Sequence, residues 1–474
     1  MPEPGQKVDE TGASPLRAFP YICLLLAILV TAAPITSSLW LDETATYWVV
    51  KDGIRDVVTR SWAWSGQSAI YYLTAWVSIH LAPYIGLEFS LRLPTLLAFC
   101  ACVVLLYRLG RYLMNPNAGI LAALVFVCMP DVSFAAIDAR PYSLGLALLI
   151  ASMLCFFKWL DTRQLAFAVL YAISAALVVY CHYLFALALF AQFICGLGQW
   201  RKLVPLWVAA GALCLPLVGQ LLHFYQTRRS HSFDASPDIK TLFVAIAPPV
   251  VAGSVLLTIF ASKRVYKLRH RIYWPYLIAW LVFPPTFLFA VSLLTDTKLF
   301  VSRYYLCSAP AAALLAGYAI SRLSAQWFAS TVLTASLVIG IWRAGPLHGN
   351  EDWRSVAATT NARVSSADVV LVASGFVEGT TVACDSPQLR DVLFSPQVAY
   401  PLRQFRRLPY AYEKNAVPDD LAGTGRVFLI TRRSSFFGLG TGMRYESLLS
   451  QKLPGYRSRE LGNMGGVSLV VLEQ

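Results

Sequence analysis

The sequence predicts an all-α polytopic membrane protein of about eleven transmembrane helices, with a long external first loop and a small C-terminal α/β domain. Three observations predict it. The 474 residues are 57% hydrophobic and only 14% charged, against roughly 25% charged in a typical soluble domain. Apolar runs approaching the roughly 20 residues that cross a bilayer recur from residue 20 to residue 342. Beyond about Gly345, charges, Gly and Pro return and short strand-like runs replace the long apolar ones.

The first run, 20–40, follows Arg17 and contains Ala32-Ala33, as a signal peptide would. Pro34 follows that site and the run continues to Leu41, so it reads as a retained anchor. Further spans are predicted at 91–107, 118–134, 142–160, 165–181, 184–200, 203–222, 241–261, 273–294, 304–320 and 327–342. A cytoplasmic N-terminus puts Arg108/Arg111, Lys158/Arg163, Arg201/Lys202, the Lys263–Arg271 cluster and Arg322 inside, as the positive-inside bias requires. Ser68–Tyr84, "SAIYYLTAWVSIHLAPY", is also apolar. Counting it as a span would turn the Lys263–Arg271 cluster outward, so it is read as lying along the interface. It belongs to an external loop over residues 42–91.

An odd number of spans leaves the C-terminus outside. The chain thus divides into a membrane domain, 1–344, and an external domain, 345–474. In the latter, strands are expected at 367–373, 426–431 and 467–472, and helices near 352–364 and 443–452. A net charge of +13 raises the question of nucleic acid, but the basic residues are scattered among apolar spans. Loop topology and anionic lipid or phosphate account for them, so no nucleic-acid partner is expected. The ten cysteines sit mostly in apolar spans without metal-ligand spacing, and Cys384 is the only one beyond residue 345.

The acids are informative by position. Asp42, Glu43, Asp52, Asp56, Glu88, Asp131, Asp138, Asp234, Asp238 and Asp296 all fall in external loops or at external helix ends. Ion transporters more often hold their acids near the bilayer midplane. A lipid or oligosaccharide transporter is therefore the lesser alternative, as is a non-catalytic subunit of an envelope complex.

Four polar clusters stand out. Asp42-Glu43 follows the first span, inside "LWLDETATYW", where Trp40, Tyr47 and Trp48 suit an aromatic belt. The competing reading makes Asp42 the N-cap of a helix starting near Glu43. Asp138-Ala139-Arg140-Pro141 opens the fourth span, with Pro141 suited to a first helical turn. His182 and Tyr183 occupy the tight outer turn of "YCHYLF", and Lys298, Arg303 and Tyr304 lead into the tenth span. Together they put carboxylates, guanidinium groups and hydroxyls beside lipid. A carboxylate can take the proton of an attacking hydroxyl, and an Arg fork can hold a phosphate as it leaves. No phosphate-cradling Gly loop, zinc motif or Ser-His-Asp signature is present in the sequence, so a soluble nucleotide cofactor is not expected.

These residues resemble the GT-C superfamily of membrane glycosyltransferases. The resemblance rests on "LDE" closing the first helix, "IYYL" and "SLRLPTLL" before the second and "DARPYSLG" opening the fourth. "YCHYLF", "VSRYYLCSAP" and "EDWRSVA" fit in the same order. The chain is most similar to the bacterial branch of protein O-mannosyltransferases and lipid A aminoarabinose or galacturonic acid transferases, over most of residues 20–365. The resemblance implies an inverting transferase in the bacterial inner membrane, with its site and C-terminus on the periplasmic side. It would move a hexosyl or pentosyl group from a polyprenyl-phosphate donor to a glycan, lipid or protein acceptor.

It also implies roles. Asp42 would be the catalytic carboxylate, with Glu43 and Asp138 shaping the site. Family members often carry Glu where this chain has Asp138. Arg303 would meet the donor phosphate, assisted by Lys298, Arg140 and Tyr304. His182, Tyr183, Tyr71 and Arg228 are candidates for substrate binding. Some members hold a divalent metal near the first loop. The sequence displays no ligand set for one, His182 being the single candidate.

Overall fold

The computed structural model describes residues 15–64, 68–226, 237–249, 251–254, 256, 273–376, 391–408, 418, 420–421, 425–432 and 441–474. Helix α1 (Pro15–Ala32) leads through a short 3-10 turn and an extended link into α2 (Leu41–Val50). Helices α3 (Ile54–Ala63), α4 (Ala69–Ile79) and α5 (Ala82–Ile85) complete the long first connection. The Ser68–Tyr84 stretch is thus two short helices rather than a span, and Tyr71, Tyr72, Ala75 and Ser78 on α4 are buried.

The bundle continues with α6 (Leu87–Leu113), α7 (Pro116–Val127), α8 (Pro130–Ala135), α9 (Tyr142–Thr162) and α10 (Leu165–Cys181). Next come α11 (Ala186–Gly196), α12 (Trp200–Cys214), α13 (Val218–Gln226) and α14 (Ile239–Ile246). Helices α15 (Trp274–Leu294), α16 (Ser302–Tyr305), α17 (Ala309–Ser321) and α18 (Gln326–Ala344) close it.

Among the described residues, seven helical segments are long and apolar enough to cross a membrane, and α7 and α10 are shorter apolar helices. The difference from eleven has local causes. The predicted span 118–134 is cut at Pro130, which has no N–H to continue a helix and instead opens α8. The predicted pair 184–200 and 203–222 forms one apolar stretch, Tyr183–His223, whose helices meet at 3-10 turns. Most of the span predicted at 241–261, and the Lys263–Arg271 cluster, lie outside the described residues.

At the centre lies α7, its residues 118–127 all buried, between α6 and α17. Glycines allow this approach. A Cβ on Gly317 of α17 would sit 2.3 Å from Ala122 N, and one on Gly119 of α7 would sit 2.6 Å from Tyr107 O. Small residues at such crossings let helix backbones touch where no hydrophobic drive separates lipid from protein.

Beyond α18, helices α19 (Trp353–Arg363), α20 (Ser395–Ala399) and α21 (Thr441–Lys452) accompany five strands. These are β1 (Val369–Ala373), β2 (Arg406–Leu408), β3 (Val427–Arg432), β4 (Arg457–Met464) and β5 (Val467–Glu473). The sheet order is β2-β1-β3-β5-β4, with β1 parallel to β2 and β3 and the rest antiparallel. Strand alternation sorts the side chains. Leu371, Val427, Leu429, Val470 and Leu472 meet Tyr445 and Leu449 of α21. Val370, Val372, Phe428, Ile430, Val467 and Leu469 share a core with Leu41, Trp48, Val57, Trp64 and Tyr71 of the first connection. The sheet and α2–α4 therefore lie on one side of the bundle.

Trp48 belongs to that core, 3% exposed, with Arg60 over its ring at 5.0 Å. The belt expected of Trp40 and Trp48 is thus a protein contact, because the sheet covers the face that lipid was expected to meet. Replacing Gly317 by Val drives branched carbon into the α7 backbone, a cost of at least about 1–3 kcal/mol. The monodisperse fraction on gel filtration in detergent should fall severalfold, and a wild-type profile would refute this seam.

Candidate functional site

The link Ser37–Trp40 carries extended backbone at Ser37 and Trp40 and sets the start of α2. Trp40 is the N-cap, so Asp42 lies inside the first turn and the competing reading of Asp42 as the cap does not hold. Glu43, three residues on, reaches back to accept from Trp40 N at 3.2 Å. Adjacent helical positions point about 100° apart, so Asp42 and Glu43 face different surroundings.

Glu43 points inward and is fully buried. Arg92 of α6, also fully buried, grips it with Nε to Oε1 at 2.7 Å and Nη2 to Oε2 at 2.5 Å. Its remaining N–H groups donate to the carbonyls of Ile35 (2.8 Å), Ser37 (2.7 Å) and Ser38 (3.0 Å). Ala139 N also donates to Glu43 Oε1, at 3.0 Å. Burial opposes ionisation of Glu43, but the charge and hydrogen bonds of Arg92 outweigh it and hold the carboxyl below its ordinary value.

Asp138 sits beside this pair, 1% exposed, accepting from Trp40 Nε1 at 3.0 Å. Burial pushes its carboxyl above the ordinary value, the charge of Glu43 adding to that against the pull of His348 and Arg140. His348 is 4% exposed and stacks on Phe134 at 4.3 Å. Its Nε2 lies 3.9 Å from Asp138 Oδ1 and 4.0 Å from Glu43 Oε1, without a hydrogen-bond partner.

Ligand atoms of Glu43, Asp138 and His348 lie within 4.8 Å of one another, close enough to suggest a cation site. The donor set does not fit a divalent metal. Both Glu43 oxygens are already taken by the Arg92 fork, and a dication there would face a fixed guanidinium.

Asp42 looks the other way, 19% exposed. Its Oδ2 lies 3.2 Å from Arg303 Nη1, at α16, and 3.7 Å from Arg140 Nη1, before α9. Two guanidinium groups thus converge on one carboxylate oxygen. Arg303 lies over the Tyr304 ring at 5.6 Å and Arg140 over Tyr142 at 6.0 Å. The Nε atoms of both arginines are buried without a hydrogen-bond acceptor. A buried donor left unmatched costs roughly 1–3 kcal/mol. Two guanidinium groups that meet at one carboxylate, each with an unmatched donor, have the chemistry to receive the oxygens of an anion.

His182 closes the site, its ring 5.4 Å from Tyr142 and 5.9 Å from Tyr304. Burial, then the charges of Arg140 and Arg303, push its imidazole down to about 3, so it is neutral. Its Nδ1 is buried and without a hydrogen-bond partner.

Lys298, expected beside Arg303, is directed elsewhere. Its Nζ donates to the carbonyls of Ser292 (2.7 Å) and Thr295 (3.1 Å) at the end of α15, where helix carbonyls lack intrahelical donors. Tyr71 bonds to Thr95 Oγ1 at 3.1 Å, inside the core. Tyr183 is half-buried in the 3-10 turn Tyr183–Phe185. Arg228 lies outside the described residues.

The arrangement of helices, first connection and C-terminal sheet matches known structures. Over 97% of its length the chain is similar to the crystal structure of ArnT from Cupriavidus metallidurans bound to undecaprenyl phosphate, covering 98% of that chain at 13% identity and a TM-score of 0.55. The apo form of the same protein matches over the same shares at 11% identity and a TM-score of 0.58. Residues 70–223 match the model of the dolichyl-phosphate-mannose-protein mannosyltransferase family. No curated protein matches the chain. The chain is a multi-pass membrane protein with the GT-C glycosyltransferase fold. Within that fold, the ArnT structures are among those it is similar to.

Sequence reasoning missed Arg92 and His348 as parts of the site. A signal for Arg92 existed: an arginine at the head of an apolar span is costly unless paired. Removing one partner of a buried ion pair costs about 3–5 kcal/mol. Arg92→Leu should therefore lower the unfolding midpoint in nanodiscs sharply, and Arg92→Lys should recover only part, since Lys lacks the fork. Unchanged midpoints in both would show that the pair does not hold α2.

Proposed function

We propose that the chain is a glycosyltransferase that moves a sugar from a polyprenyl-phosphate donor to a cell-envelope glycan, lipid or protein. The reaction is a single inverting displacement at the extracytoplasmic face of a bacterial plasma membrane. The observation that carries this reading is the convergence of Arg303 and Arg140 on Asp42, each with an unmatched buried Nε–H. The ArnT relative of like fold binds undecaprenyl phosphate, and the same class of carrier suits two guanidinium groups with donors to spare.

Asp42 acts as general base. It takes the proton of the acceptor hydroxyl, whose oxygen attacks the anomeric carbon as the bond from that carbon to the phosphate oxygen breaks. The proton ends on Asp42 and the charge on the polyprenyl phosphate, where Arg303 and Arg140 hold it. Arrival of the phosphate draws Arg303 away from Asp42 and frees the carboxylate for its task. Neutral His182 and Tyr304 line the space beside the arginines and accept or donate to the sugar. Glu43 and Asp138 hold the frame, and no step passes through a metal.

General-base catalysis is worth about 10²–10⁴-fold. Asp42→Asn should therefore reduce the gene-dependent product by at least about 10²-fold, read by mass spectrometry of envelope glycolipids, glycans and proteins from cells with and without the gene. Turnover at the wild-type level would overturn the assignment. Orientation is tested separately by single cysteines at the exposed positions Lys51 and Arg55. They should react with a membrane-impermeant maleimide in intact spheroplasts, and reaction only after permeabilisation would place the site on the wrong face.

A further inference from the structure

Three consecutive backbone N–H groups lead into the turn that carries Asp42, and each finds a side-chain acceptor. Leu39 N donates to the Tyr400 hydroxyl at 2.8 Å, Trp40 N to Glu43 at 3.2 Å and Leu41 N to Glu351 Oε2 at 3.0 Å. Two of the three acceptors come from beyond residue 345.

Glu351 is the more constrained of these. It is 4% exposed, and Oε2 also accepts from Trp353 Nε1 at 2.7 Å. Its Oε1 accepts from Arg432 Nε, at the end of β3, at 2.6 Å. A carboxylate at the first helical N–H satisfies an orphan donor and meets the positive end of the helix. The surroundings leave it little play. A Cβ at Gly375 would lie 3.2 Å from Leu41 Cδ1 and 3.3 Å from Arg432 Cδ. Thr44, one turn into α2, meets Ser395 Oγ at 2.8 Å, and a Cβ at Gly349, with φ +71°, would lie 2.4 Å from Trp40 Cγ.

We infer that Glu351, oriented by Arg432, is a positioning residue for the Asp42 carboxylate, so that the C-terminal domain is part of the catalytic apparatus rather than a separate docking module. The inference rests on the role proposed for Asp42. Glu351 touches no reacting group. It fixes the backbone one residue before Asp42, and a displacement of about 1 Å at such a group can cost on the order of 10²-fold in rate.

The test uses the full-length chain in a strain lacking the gene, with the mass-spectrometric product assay and undecaprenyl phosphate binding in nanodiscs. Glu351→Ala should lower product per folded molecule at least about tenfold, Glu351→Gln less, since it keeps acceptors for Leu41 and Trp353. Binding of undecaprenyl phosphate should change by less than about threefold in both. Arg406→Ala, in an exposed pair with Asp420 on the same domain, serves as control and should leave product unchanged.

Product at the control level in Glu351→Ala, or a loss explained wholly by less folded protein, overturns the inference. So does a loss of undecaprenyl phosphate binding as large as the loss of product. Should Glu351→Ala fail to fold, Glu351→Gln decides. A severalfold loss with binding intact supports positioning, and wild-type product refutes it. Asp42→Asn run in parallel separates the two levels: if it keeps activity, the functional reading fails, whereas if it alone is inactive, only the role of Glu351 fails.

Discussion

The buried pair between Glu43 and Arg92 is the interaction on which the rest of the site depends. An isolated charge could not be placed there, because the cost of removing it from water exceeds what one contact returns. Arg92 meets that condition by using one fork for Glu43 and the remaining donors for three carbonyls of the 3-10 turn and link before α2. One side chain thereby ties α6, the end of α1 and the start of α2 into a single unit. The orientation of Asp42 follows, since its neighbour in the same helical turn cannot rotate.

Around this frame the charges are unevenly satisfied. Glu43 has every lone-pair direction occupied, whereas Arg303 and Arg140 share one oxygen of Asp42 and keep unmatched donors. Native interiors rarely leave such groups orphaned, and each calls for a partner such as a water, an ion or a ligand. The C-terminal domain supports the same turn from outside through Glu351, Tyr400 and Ser395. Layers far apart in sequence thus act on one turn of helix.

Much of this was legible in the sequence. The apolar runs announced the helices, and β1, β3 and β5 appeared at their predicted places because each is a continuous buried run. Strand β2 has three residues and β4 reads "RSRELGNM", so neither carries an apolar pattern, and only pairing with β1 and β5 makes them strands. Asp42, Arg140, Arg303 and His182 were grouped by the arithmetic of external loops, and the structure brings them together. Lys298 was grouped by the same reasoning and is not among them, because a flexible cation near a helix end finds carbonyls first. Trp48 was expected at lipid, and nothing local in the sequence said that a sheet more than 300 residues away would cover it.

By itself the sequence determined the class of protein and the end of each helix at which polar chemistry gathers. Composition and hydropathy act through the solvent and need no partner. It could not decide between Asp42 and Glu43, which are adjacent and chemically alike. Tertiary structure made that choice. The phase of α2 turned one carboxylate to the core, and Arg92, 49 residues away, neutralised it there. The other was left 19% exposed between two arginines.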